Sequence, residues 1–61
     1  MDQAKAGFYT VDFTCDTDGA EVSVFNIRAD NAVLAERSGR ESLNPGRQWR
    51  STAIDRVRDA D

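Results

Sequence analysis

Histidine is absent from the chain, and cysteine occurs once, as Cys15. Ser–His and Cys–His nucleophilic catalysis both need an imidazole base, a structural zinc site needs several His or Cys ligands, and an internal disulfide needs a second thiol. No catalytic, metal or cofactor-binding residue is therefore expected, and an enzyme is not expected. Long apolar runs are missing too: nothing approaches the roughly 18 consecutive apolar residues of a membrane helix. The opening MDQAKAGF lacks the apolar stretch of a signal peptide. Those features lead to the expectation of a cytoplasmic protein without a membrane partner.

Lysine occurs once, as Lys5, against 7 Arg, and Glu 3 times against 8 Asp. This preference, with 8 Ala, matches a GC-rich genome and suggests a prokaryotic source. The net charge of −3 argues against a nucleic-acid binder that works by bulk electrostatics. Large apolar side chains are also scarce. Of 61 residues, 39% are hydrophobic, and setting the alanines aside leaves 16, Met1 included. So short a chain makes one small domain, residues 1–61, with a core that is marginal for a monomer on its own.

What is present has clear periodicity in places. Residues 1–6 are polar and patternless, and are expected to fray. Tyr9, Val11, Phe13 and Cys15 then alternate with Phe8, Thr10, Asp12 and Thr14, the signature of a half-buried strand. Asp16-Thr17-Asp18-Gly19 supplies turn chemistry. In the following strand, Glu21 to Ala29, Val22 and Val24 share one face while Phe25 and Ile27 take the other. Either a bulge near Val24–Phe25 swaps the faces or both faces are covered. Asp30-Asn31 reads as a tight turn, and Ala32 to about Arg37 as a third strand. After a polar connection, Asn44-Pro45 reads as a helix start. Trp49, Ala53, Val57 and Ala60 form one apolar stripe at helical spacing, with Ile54 alongside. The expected fold class is α+β: a three-stranded antiparallel β-meander with one C-terminal amphipathic helix packed on it (βββα). Its expected core is Tyr9, Val11, Phe13, Leu34, Trp49, Ala53 and Val57, with Trp49 as the anchor between helix and sheet.

Four features bear on function. Asp16-Thr17-Asp18-Gly19 is like a fragment of a calcium loop, but the further ligand positions hold Thr14 and Phe25, so it reads as a hairpin turn. Cys15, flanked by Asp12 and Asp16, lacks the cationic neighbour that activates a thiol and reads as a small buried hydrophobe. Arg47, Arg50, Arg56 and Arg58, beside Trp49 on the expected helix, offer a contact to RNA or DNA; Asp55, Asp59 and Asp61 on the same segment favour a solvated face instead. Phe8, Phe25 and Ile27 exceed what one helix can cover, and an uncovered apolar patch marks a contact. Edge-strand pairing or face-to-face packing with a second copy would bury it.

The segment Phe25-Asn26-Ile27-Arg28-Ala29-Asp30-Asn31-Ala32-Val33-Leu34-Ala35, followed by Ser38 and by Ile54-Asp55-Arg56-Val57-Arg58-Asp59-Ala60, resembles the YegP-like family. Members carry a strand ending in a Lys-Ala-x-Asn-Gly type turn, a strand leading to Ser, and a helix ending Gly-Ile-x-Ser-Val-Lys. The resemblance implies a small β-meander-plus-helix module, often a tandem repeat or a dimer, without an assigned activity.

Together these readings lead to the expectation of a non-enzymatic protein-interaction module, a homodimer associating through Phe8, Phe25 and Ile27. The alternatives are a small nucleic-acid-binding regulator using the Arg-rich C-terminal helix, or a virus-encoded inhibitor of a host protein.

Overall fold

Strict alternation makes residues 7–15 a strand, β1 (Gly7–Cys15), with Gly7, Tyr9, Val11, Phe13 and Cys15 all buried on one face and the residues between them half-buried. The structure is a computed structural model that describes residues 6–60; of residues 1–6, expected to fray, 1–5 lie outside the described residues and Ala6 accepts from the Ala60 N–H at 3.0 Å. The turn that follows is held locally. The Asp18 side chain accepts from the Ala20 N–H at 3.0 Å, and Gly19 takes the left-handed backbone (φ 74°) that glycine adopts without strain.

The second strand, β2 (Glu21–Ala29), pairs antiparallel with β1, with Tyr9 opposite Ile27 and Val11 opposite Val24. That register leaves Phe25 and Asn26 together opposite Thr10, a bulge in which Asn26 adopts φ 59°. The extra residue shifts the phase of the strand. Val22, Val24 and Ile27 consequently share the inner face, and Phe25 is left outside.

Residues 32–41 form a helix, α1 (Ala32–Glu41), where a third strand was expected. The residues explain the difference. Ala, Leu, Glu and Arg dominate this stretch and Val33 is its only β-branched residue, a composition that favours helix over strand. Asn31, expected in a tight turn, is the N-cap: its side chain accepts from the Leu34 N–H at 2.9 Å. Glu36 and Arg40 form an ion pair one turn apart. Ala35 and Gly39 are the buried residues of the helix.

The expected C-terminal helix is instead a strand, β3 (Trp49–Asp59), antiparallel to β1. Two irregularities explain its misleading period. Val57 is skipped between the Phe8–Arg58 and Tyr9–Arg56 pairs, and Thr52 between the Asp12–Ala53 and Phe13–Ser51 pairs. The inner-facing residues are therefore Trp49, Ser51, Ile54, Arg56 and Asp59, at spacings of two and three. Such spacing breaks the period of two that marks a strand, while the apolar residues Trp49, Ala53 and Val57, which do not share a face, recur every four and so read as a helix. The stripe from Trp49 to Ala60, including the C-terminal residues that carry the family resemblance, is not a helix face.

The sheet order is β2-β1-β3, with β1 in the centre. Because β2 and β3 both run antiparallel to β1, they are parallel to each other and need a crossover, which α1 supplies. The three antiparallel strands and single helix of the α+β expectation are present, but the helix lies between β2 and β3. The core is Tyr9, Val11, Phe13, Ile27, Ala29 and Ala35, with Val24, Leu43 and Trp49 partly buried against it. Of the expected core residues, Leu34 is 36% and Val57 61% exposed, and Ala53 is exposed on the opposite face. Trp49 is not the anchor of a helix on which it sits, because it opens β3: its indole N–H donates to the loop carbonyl of Asn44 at 3.2 Å, and its backbone carbonyl accepts from the Arg40 guanidinium of α1.

Candidate functional site

The helix packs on part of one face of the sheet, over Phe13 and Ile27, and leaves Val22 and Ile54 on that face more than a third exposed. The opposite, outer face is set by the residues of β1 that alternate away from the core: Phe8, Thr10, Asp12 and Thr14. Cross-strand pairing adds Arg28, Ser23 and Glu21 from β2, and Arg58, Asp55, Ala53 and Arg50 from β3. Phe25 joins them through the β2 bulge and is 66% exposed, an unusual environment for a phenylalanine.

Phe8 is half-buried on this face, and the Arg58 guanidinium lies 4.1 Å from its ring centroid. At that distance the cation sits on the electron-rich face of the ring. Near the middle of the face the Ser23 hydroxyl donates to Asp12 at 2.6 Å. At the far end Arg50 lies 3.6 Å from Asp16.

The expected association residues are thus divided. Phe8 and Phe25 share the outer face. Ile27 does not: it is 8% exposed, packed in the core opposite Tyr9, because the bulge at Phe25–Asn26 returns it to the inner face. The four arginines expected on one helix are also separated. Arg50 and Arg58 lie on the outer face. Arg56 is on the inner face, 5.9 Å from the Tyr9 ring centroid and 2.6 Å from Asp59, whose hydrogen bond raises its pKa. Arg47 sits in the loop before β3, 3.1 Å from Asp18. Thr10, Asp12, Thr14, Glu21, Ser23, Arg28, Ala53 and Asp55 complete the face, none of them a contact candidate in the sequence. The alternation of β1 predicts Thr10 and Asp12 there, but nothing local in sequence reveals which residues of β3 lie beside them.

Among the described residues both sheet edges are open, yet neither suits another strand. β2 is interrupted at Phe25–Asn26 and β3 at Thr52 and Val57, and β3 carries five charged residues between Arg50 and Asp59. Bulges and charges of this kind obstruct edge pairing. An open cleft of about 680 Å³ lies beside the connection from α1 to β3, walled by Leu43, Pro45 and Trp49. Its main polar donors are already engaged: Arg40 with Glu36, Arg47 with Asp18, and the Trp49 indole with Asn44. The outer sheet face is the stronger candidate.

Among the described residues no helix is long and apolar enough to cross a membrane, and no group of three or more His, Cys, Asp or Glu is placed to hold a metal ion. Compared with protein-family models, with curated proteins and with solved structures, the chain matches none.

Proposed function

We propose that the chain is a non-enzymatic interaction module that associates with a second copy of itself through the outer face of its sheet. The observation that carries this reading is the exposure of Phe25, 66%, on the same uncovered face as Phe8. Water around an exposed aromatic ring is released on contact with another apolar surface. The obstructed strand edges favour packing face to face over pairing edge to edge.

The face sets the scale of the interaction. Three strands about 4.8 Å apart and some nine residues long present about 400 Å² in projection. Counted on both copies that is about 800 Å², below the roughly 1,000 Å² of a stable interface, so the pair is weak and transient, and its association falls between about 1 μM and about 1 mM. Sedimentation equilibrium across a dilution series tests the reading. The wild-type chain is expected to pass from monomer to dimer within that range, and Phe25→Asp to remain a folded monomer. A wild-type chain that stays monomeric to about 1 mM overturns it.

A second reading has one specific observation in its favour: Arg50 and Arg58 share the outer face with Phe8 and Phe25, the mixture of cations and aromatic rings that holds single-stranded nucleic acid. Titration with single-stranded DNA and RNA at low salt separates the two readings. Retardation that weakens steeply with salt supports nucleic-acid binding, and none is expected for the self-association module.

A further inference from the structure

We propose that two copies meet head to tail across their outer faces, about a two-fold axis perpendicular to β1, so that the Arg28–Phe8–Arg58 end of each lies over the acidic half of the other. This rests on the self-association reading above and adds its geometry. The outer face is electrically uneven along its length. In the row of Phe8, both cross-strand neighbours are basic, Arg28 and Arg58. Beyond it come Asp55 beside Thr10, then Asp12, then Glu21 beside Thr14. Arg50 also lies in the last row, but Asp16 faces it at 3.6 Å and offsets its charge.

Six residues separate Phe8 from Thr14, about 20 Å along the strand. That is twice the screening length of about 8–10 Å at ordinary ionic strength, so the two ends act as separate charge centres. Two-fold symmetry leaves two simple ways to stack one such face on its copy. An axis parallel to β1 puts basic end on basic end, with Arg28 over Arg58 of the second copy. An axis perpendicular to β1 puts the basic end over the acidic half, and does so twice, because an isologous contact repeats itself. It also keeps β2 over β2, which brings Phe25 of the two copies together near the axis. At each end Arg28 then lies over Glu21 of the second copy and Arg58 over its Arg50–Asp16 pair, and with the aromatic pair between the ends the surface is self-complementary.

Two experiments test this geometry. The first uses the wild-type chain alone: dimer affinity is measured as salt is raised from low to high concentration. Head-to-tail packing predicts several-fold weakening, because attraction is screened; strengthening with salt means that like ends meet, and overturns the proposal. The second uses R28E/R58E and E21R/D55R, with folding checked by circular dichroism. Each variant alone is expected to dimerise at least about tenfold more weakly than wild type, and their equimolar mixture to recover affinity as a heterodimer in native mass spectrometry. Wild type mixed with R28E/R58E is expected to bind more weakly than wild type with itself. A tighter mixed pair overturns the head-to-tail arrangement while leaving self-association standing. A wild-type chain that never dimerises removes the underlying reading instead.

Discussion

Arg58 and Phe8 are cross-strand neighbours at the end of the outer face, and the guanidinium of Arg58 lies 4.1 Å from the centroid of the Phe8 ring. The stacked cation shields part of an aromatic surface that no helix covers. It also places a positive charge where a second copy can meet it. Removing the guanidinium tests both roles. Arg58→Ala is expected to lower stability by about 0.5–1 kcal/mol, as for an exposed cation–π contact, and to weaken self-association by a larger factor than that loss implies. Urea unfolding beside sedimentation of the same variant separates the two effects.

Gly39 is buried where α1 packs on Ile27 and Phe13 of the sheet. A Cβ added there would stand 3.1 Å from Ile27 Cδ1 and 3.1 Å from the Phe13 ring. Gly39→Ala gains about 1 kcal/mol of helix propensity but crowds two buried side chains, which typically costs about 1–3 kcal/mol. A net loss of about 1 kcal/mol is expected in denaturant unfolding. In an Ile27→Val background, which removes Cδ1, the same change is expected to cost less, and the difference measures the contact.

Asn31 distinguishes the helix at 32–41 from the strand that the local residues suggested. Its side chain accepts from the Leu34 N–H at 2.9 Å, so Asn31→Ala is expected to cost about 1 kcal/mol, the usual loss for a helix cap. A strand preceded by a turn would show no such sensitivity. Thermal unfolding followed by circular dichroism provides the comparison.

Asp18 links the β1–β2 turn to the loop before β3. The Ala20 N–H and then a hydrogen bond with the Cys15 side chain lower its pKa below the usual 3.8, with Arg47 contributing to the same direction. A depressed folded-state pKa means that its stabilising contribution is present above about pH 3.9 and is lost as pH falls through the folded value. Carboxyl titration by NMR is expected to show Asp18 protonating at a lower pH than a free aspartate, and Asp18→Asn to remove that part of the acid sensitivity.

The order of legibility along the chain follows from how local each signal is. Residues 7–15 announce a strand because β1 is central and regular: one face is fully buried, and an unbroken period of two results. The turn at Asp16–Gly19 is equally local, since Asp18 and Gly19 act through their own backbone neighbourhood. Phe25 and Ile27 are harder: their spacing offers a bulge near Val24–Phe25 or two covered faces, and the αL residue at Asn26, with the register against Tyr9 and Val11, decides for the bulge. The helix and the last strand exchange places for two reasons. Asn31 is equally suited to a turn or a cap, and the two irregularities in β3 convert a strand's alternation into spacings of two and three. The outer face was legible in its two aromatics. Its arginines were not, because Arg50 and Arg58 reach it only through pairing with a strand some forty residues earlier in the chain.

Self-association requires that the outer face of the sheet be the surface that meets another copy, and concentration-dependent chemical-shift mapping by NMR tests this most directly. On raising the chain from about 1 μM to about 1 mM, across the range expected for so small a face, the signals of Phe8, Thr10, Phe25 and Arg58 are predicted to move together along one binding curve, while Val33 and Arg37 on α1 stay fixed. Shifts confined to α1 or to the strand edges, or no shifts at all, would contradict it.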